Sequence, residues 1–359
     1  MKSIYLAQPF YVMSRVKPIC ITCLSCLLLL PLFSLAQLDT IKFIREDGWI
    51  EGMDNYVGLK LSINNNIETF QVDAGNLFYD LYPNTKTIAK LDFNYRFLSF
   101  NLTFAPAFLP GNADDDMKGK TKSFGLSFGF NFRHWFHSLS YSKVKGYYLN
   151  NSEDFPAYVP GDPYLQVPEL VVISFEGLTG YSFNPKFSVK SLTTQTERQL
   201  KSVGSFIPVL GYRYYIVNNK DEEATSTQRS DNFELILGAG YHYTYVLKET
   251  FYVSLGATPG IGYIITKLTT HYQQGGNDEI VTHSNNPVVR LTGRGALGYN
   301  GRAIFVGAIY SMTGTSFEQE GTTVINSDFH TSYQIFAGIR INAPKKLRDN
   351  LAAVENLRK

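Results

Sequence analysis

"SFGLSFGFNFR", residues 123–133, alternates without a break. Phe124, Leu126, Phe128, Phe130 and Phe132 fall on one face, and Ser123, Gly125, Ser127, Gly129, Asn131 and Arg133 on the other. Successive side chains of a β-strand point to opposite faces, so this is a strand with one apolar and one polar side. A soluble core and a lipid bilayer would each accept five large apolar groups in a row. What the apolar side touches decides the fold.

The N-terminus bears on the compartment. Lys2, Arg15 and Lys17 precede the uncharged run "ICITCLSCLLLLPLFSL", residues 19–35, which closes on the small-x-small pattern Ser34-Leu35-Ala36. A basic n-region, an apolar core and such a site make a secretory signal, expected over residues 1–36 with Gln37 first in the mature chain. A membrane anchor is the alternative, but a run of 17 residues interrupted by Pro31 is short for a spanning helix, which needs about 20. Cys20, Cys23 and Cys26 all lie inside the run. A lipoprotein signal would place a Leu-type residue three before its cysteine, where Lys17, Cys20 and Cys23 stand. The mature chain is therefore expected to have no disulfide and no Cys-ligated metal.

Removing residues 1–36 takes three of the 33 Lys+Arg and none of the 31 Asp+Glu, leaving a net charge of −1. No basic excess is left to attract nucleic acid. The charged fraction is 18%, against roughly 25% in ordinary soluble domains, while aromatics reach 14%.

The opening pattern recurs at 57–63, 89–95, 98–104, 233–245, 251–258, 289–299 and 333–341, and more weakly at 136–148, 170–183, 186–193, 203–217 and 302–313. In a soluble sandwich the second face would be richly charged. Here it is mostly Gly, Ser, Thr and Asn with a few Arg and Lys, a set suited to a crowded lumen. Strands of about ten residues match a tilted crossing of a bilayer. Backbone groups facing lipid must all be paired, so such strands must close into a barrel. Aromatic residues near strand ends (Tyr95, Phe97, Trp135, Tyr147, Tyr148, Tyr243, Tyr245, Tyr263, Tyr299) fit interfacial girdles. The reading is a transmembrane antiparallel β-barrel in the outer membrane, against a large secreted β-sandwich.

Tight connections near Arg96-Phe97, 133–135, Asn184-Pro185, Lys248-Glu249 and Asn300-Gly301 belong in the periplasm. Long polar ones near 107–120, 149–168, 218–231, 269–286 and 314–330 belong outside. The segments number thirteen, whereas bacterial single-chain barrels have an even count. Counting from either end gives senses that clash between 170 and 217, so one piece there is a broken strand or a segment folded into the lumen. The expectation is 12 strands, with 10 and 14 as alternatives. The barrel spans 54–342, after a periplasmic N-terminal segment (37–53) and before a periplasmic tail (343–359). In that tail Leu347, Leu351 and Val354 form one helical stripe.

The disputed region holds the distinctive polar motif "QTERQLKSVGSF", 195–206, preceded by "KFSVKS", 186–191. With "YPNTKTIAKLDFNYRFLSFNLTF" (82–104) and "TPGIGY" (258–263), it resembles the uncharacterised 4421 family of domains of unknown function, outer-membrane proteins of Bacteroidota, over roughly 54–342. The resemblance implies an outer-membrane barrel and brings no known reaction. Common barrels end on an aromatic residue of the last strand, which the barrel-assembly machinery reads. This chain departs from that pattern by continuing past Pro344.

Candidate chemistry lies on the inward face. Arg133, Arg213, Arg290, Arg294 and Arg340, with Lys60, Lys90 and Lys190, face Glu234, Glu176 and Asp92. They read as an ion-pair network stiffening a narrow barrel, or as an arginine-lined path for a small anionic solute, since guanidinium pairs bidentately with carboxylate or phosphate. Glu197, Arg198, Gln199 and Lys201 read as a plug or constriction, or as a structural knot beside Gly204. Catalysis needs a nucleophile, a base and an orienting group within reach. Of the six histidines only His137 faces outward as a lipid-wall catalyst would, and Asp114, Asp115, Asp116 with His330 are the candidates for a loop protease. No His-x-x-x-His or Glu-x-x-His spacing points to a metal, and no cofactor is implied. Length excludes a 22-stranded transporter with its plug domain. A non-enzymatic surface-loop protein or narrow anion-preferring channel is the expectation, with a small lipid or peptide hydrolase as the alternative.

Overall fold

Lipid on one side and a crowded lumen on the other impose a period of two on every wall strand, and twelve strands obey it. The computed structural model describes residues 43–67, 69–73, 78–219, 226–272, 279–316, 324–325 and 329–356; the signal segment lies outside them. The wall strands are β1 (Tyr56–Asn64), β2 (Ile88–Tyr95), β3 (Leu98–Phe104), β4 (Lys122–Asn131), β5 (Trp135–Leu149) and β6 (Gln166–Tyr181). They continue as β7 (Val203–Asn219), β8 (Ser226–Leu247), β9 (Phe251–Tyr272), β10 (Glu279–Asn300), β11 (Ile304–Ser316) and β12 (Phe329–Asn342). Each pairs antiparallel with the next, and β12 returns to β1 from Asn342↔Tyr56 to Gln334↔Asn64, so the sheet closes. A short helix, Lys345–Asn356, follows. Among the described residues no helix is long and apolar enough to cross a membrane.

The opening stretch forms β4. Its register pairs Phe128 with Phe100 and Leu126 with Leu102 on the outer face, and Ser127 with Asn101 on the inner. Phe93, Phe100 and Phe128 form an outward ladder with ring centroids 6.3 and 5.2 Å apart. The exterior stays apolar around the wall: Leu237, Leu255 and Ile261 are 61%, 66% and 66% exposed. A soluble protein rarely presents so large an apolar surface. Here it lies in hydrocarbon, each Leu or Phe gaining about 1.5–3 kcal/mol over exposure to water. A closed barrel with such a belt is an outer-membrane barrel. At the end carrying the short turns, Trp135, Tyr181, Phe183 and Phe206 stack in sequence at 4.9, 5.0 and 5.8 Å, as an interfacial girdle.

The thirteenth segment, 186–193, leaves the wall. It belongs to the connection 182–202 between β6 and β7, as a single helical turn, Lys190–Thr193, with Phe187, Ser188, Lys190 and Ser191 buried. That removes the parity clash and corrects the tight turn expected at Asn184-Pro185. Lys190 consequently stands on this connection and not on the wall.

Three further expectations change. Strands β8, β9 and β10 each run 22 residues, so the loops expected at 218–231 and 269–286 shrink. Beyond the lipid both faces are polar and the alternation fades, although the hydrogen-bond ladder continues, as between Thr270 and Ile280. Tyr147 and Tyr148 are buried and do not join a girdle; Tyr147 packs on Phe70 at 6.0 Å and Tyr148 on Tyr82 at 6.4 Å. The inner face is also less uniformly polar than expected. Val172, Tyr215, Ile236, Ile264 and Val288 point inward from β6–β10 and pack on Tyr147, Leu149, Phe70 and Leu81. The last two come from a hairpin, Phe70–Asp73 with Phe78–Tyr82, in the loop after β1. It pairs with the outer end of β5 through Leu81↔Leu149 and fills part of the outer mouth.

Candidate functional site

The connection 182–202 is held against the barrel by groups from far along the chain. Its strand Glu197–Gln199 pairs antiparallel with Ile50–Gly52, which pairs with Phe43–Arg45, forming a three-stranded sheet of its own. The N-terminal segment is thus part of the same element. Asn184 anchors its start, donating from Nδ2 to the Gly204 carbonyl at 2.8 Å and from its backbone N–H to Ser205 Oγ at 3.0 Å, both on β7. Phe187 packs with Val203 and Ile207 of β7 and with Phe136 and Trp49.

Wall strands reach in to meet it. Lys60 Nζ of β1 donates to the Thr193 carbonyl at 2.8 Å and to Gln195 Oε1 at 3.3 Å. Arg340 of β12 donates through Nε to the Gln195 carbonyl at 3.2 Å and through Nη2 to Asn300 Oδ1 at 2.6 Å. Asn300 Nδ2 donates to the Glu197 carbonyl at 3.1 Å. Arg198 Nε returns a bond to the Asn300 carbonyl at 2.7 Å, Nη2 reaches the Glu249 carbonyl at 2.9 Å, and Nη1 pairs with Glu51. Glu51 also meets Arg302 at 2.7 Å. Gln195 adopts a left-handed φ of 55°, a conformation costly for a non-glycine residue; its carbonyl bond to Arg340 and side-chain bond to Lys60 hold it there.

Glu197 gathers three side chains. Lys190 Nζ lies at 2.9 Å, Arg45 Nη1 at 3.0 Å, and Ser188 Oγ donates at 2.6 Å. Burial alone would push its carboxyl up, but Lys190, Arg45 and Ser188 outweigh burial and hold it below the ordinary glutamate range. Buried charge costs heavily unless paired and hydrogen-bonded, and this set meets that condition. Gln199 Nε2 donates to the carbonyls of Trp49 (3.1 Å) and Lys186 (2.8 Å). Lys201 stands at the edge, exposed, with Nζ 5.4 Å from the Trp49 ring centre.

The inward cations separate into distinct environments. Arg290 of β10 forms a two-point bridge to Glu234 of β8 at 2.9 and 2.7 Å. Arg213 of β7 pairs with Glu176 of β6 at 3.1 Å and lies 4.4 Å from the Tyr215 ring centre. Lys60 and Lys90 share Asp92 at 3.9 and 3.5 Å. Arg294 has no hydrogen bond or ion pair to any described residue. Arg133 is not a lumen residue: β4 ends at Asn131, and Arg133 projects from the following turn to bridge Glu46 at 2.6 Å. Alternation was carried two residues past the strand end.

A cavity of about 420 Å³ remains inside the barrel, bounded by Lys90, Asn101, Ser127, Ser140, Glu176 and Arg294, and extending to Asn66 and Pro83 beside the outer ends of β1 and β2.

The histidines make separate contacts. His137 on the outer wall meets Thr179 Oγ1 at 2.6 Å, His242 meets Thr258 Oγ1 at 3.2 Å, and His330 meets Asn66 Oδ1 at 2.8 Å. Asp114 bridges Lys118 and Asp115 accepts from Asn84. Among the described residues no three His, Cys, Asp or Glu side chains converge as a metal site.

Lys60, Asn300, Glu51, Arg45 and Arg302 were missed as partners of the connection. A signal existed in the N-terminal segment: Arg45, Glu46, Asp47, Glu51 and Asp54 crowd five charges into ten residues of a chain that is 18% charged.

A closed wall with a lipid belt defines an outer-membrane β-barrel, here with an ion-paired insert held against the wall strands. The chain belongs to the family described as domain of unknown function DUF4421, whose model matches residues 45–340. No curated protein sequence matches it. Among solved structures it is similar to the outer-membrane protease OmpT of Escherichia coli, at 8% identity and TM-score 0.34, covering 81% of this chain and 97% of that one. It is also similar to the translocator domain of the autotransporter NalP of Neisseria meningitidis, at 6% identity and TM-score 0.28, covering 90% and 96%. Likenesses this weak assign no activity.

Proposed function

We propose that the protein is a non-enzymatic outer-membrane barrel whose lumen is closed to through-flow at its periplasmic end, and which presents its loops and a blind polar lumen to the exterior. One observation carries this reading: the segment 182–202 is fixed across the barrel end by Lys60, Asn300 and Arg340 from three separate strands. A channel needs a continuous wet path with binding weak enough to release the solute. An ion-paired, hydrogen-bonded insert in that path opposes conduction. The scattered placement of the histidines likewise favours a non-enzymatic role over hydrolysis of lipid or peptide.

Liposomes containing the refolded protein provide the test. They are expected neither to swell in isotonic small sugars nor to release phospholipid or peptide hydrolysis products. Rapid swelling by the native protein would refute the closed lumen, and steady hydrolysis abolished by His137→Ala or His330→Ala would refute the non-enzymatic reading.

A further inference from the structure

Among the described inward arginines, one is left without a polar partner. Arg213 has Glu176 and Arg290 has Glu234, while Arg340 is spent on the Gln195 carbonyl of the insert and the side-chain amide oxygen of Asn300 on β10. Arg294 borders the cavity with neither an ion pair nor a hydrogen bond among the described residues. A guanidinium presents five donors in a planar fork and remains charged in any accessible pH range. Left alone in a confined, weakly hydrated space it is costly, and a carboxylate or phosphate is its natural complement.

Its neighbours extend the argument. In the sheet Arg294 is paired with Gly256 on one side and Ser311 on the other. Neither supplies an acid. Lys90 borders the same cavity and competes with Lys60 for the single carboxylate of Asp92. Glu176 also borders it, but is already bridged to Arg213. The excess charge facing the space is positive. The rest of the lining mixes hydrogen-bonding groups, such as Asn101, Ser127 and Ser140, with apolar ones, such as Ile88, Val144 and Ile309. The polar groups can exchange hydrogen bonds with hydroxyls, and the apolar ones can meet the C–H faces of a sugar ring. The volume, about 420 Å³, lies within the usual range of small-molecule sites, about 300–1,000 Å³.

We propose that this cavity is a binding site for a small hydroxylated anion of the sugar-acid or sugar-phosphate type, with Arg294 holding the acidic group, Lys90 adding charge, and the serine and asparagine side chains meeting the hydroxyls. The proposal rests on the reading of the lumen as closed at its periplasmic end, which makes the cavity a dead-end site.

Titration calorimetry on the full refolded chain in detergent tests it, with glucuronate, glucose 6-phosphate and glucose as probes. The two anions separate the carboxylate from the phosphate source, and glucose reports the polyol alone. At least one anion is expected to bind at least tenfold more tightly than glucose, and Arg294→Gln to weaken that binding at least tenfold while the heat-modifiable gel shift of the folded barrel is kept. Ser140→Phe, which fills the cavity without altering charge, is expected to abolish binding. If Arg294→Gln does not fold, Lys90→Gln and Ser140→Phe carry the test. Equal affinity for glucose and both anions, no binding of either anion, or unchanged binding in the folded variants would overturn the assignment. Swelling of native liposomes would instead refute the closed lumen and leave the binding result to stand.

Discussion

Arg340, on the last wall strand, donates its guanidinium to the backbone carbonyl of Gln195, 145 residues earlier in the chain. This bond ties the closing strand of the barrel to the segment 182–202. The last wall strand and the insert proposed to close the lumen thus share a residue.

Removing that tie should loosen the insert before it harms the wall. Arg340→Met keeps the apolar stem over Phe305, which the guanidinium covers at 4.8 Å, but leaves the Gln195 carbonyl and Asn300 amide without their donor. The expected loss is about 1–3 kcal/mol for each buried neutral acceptor left without its donor. Urea unfolding in bilayers, followed by the fluorescence of Trp49 and Trp135, should show an early transition at Trp49. A single unshifted transition would count against the tie.

The wall's polarity can be tested within two adjacent residues. Phe128→Arg puts a charge into lipid, at about 2–4 kcal/mol near the midplane. Ser127→Arg points into the cavity beside Asn101 and should fold more readily while occluding the anion site. Equal damage to the folded yield from both would contradict the register of β4.

Acid should release the insert selectively. Lys190, Arg45 and Ser188 hold Glu197 below the ordinary glutamate range. A carboxyl depressed in the folded state contributes stability that is present above its unfolded value and lost as pH falls through the folded one. Hydrogen exchange across 186–202 should therefore be slow at neutral pH and accelerate only as pH falls below the ordinary glutamate range, while the strands β8–β10 stay protected. Glu197→Gln should remove most of that dependence. An equal acceleration in wild type and variant would show that another group governs it.

The wall was legible in the sequence because lipid enforces it: Phe124, Phe128 and their partners on β3 keep a period of two that no soluble surface would keep. Twelve strands were expected from the even count, with the odd piece placed only somewhere between 170 and 217; the structure identifies it as 186–193. The insert was legible only as a conflict. Its bonds join Gln195 to Arg340 and Glu197 to Arg45 over separations of 145 and 152 residues, and a polar segment with no periodicity gives no sign of its partners. Arg133 was misplaced for a related reason, since alternation continues through a turn without marking where β4 ends. The apolar inward residues Val172, Ile236 and Ile264 were hidden because nothing local shows that a loop hairpin folds over them.

Single-channel recording in a planar bilayer tests the central claim most directly. If the insert closes the periplasmic end as proposed, the native protein should give no steady conductance at neutral pH. Arg198→Met with Arg340→Met should give discrete openings that favour anions, since Lys60, Lys90, Arg213, Arg290 and Arg294 outnumber Asp92, Glu176 and Glu234 on the inner wall. A large, steady, cation-selective current from the native barrel would contradict both the closure and the lumen assignment.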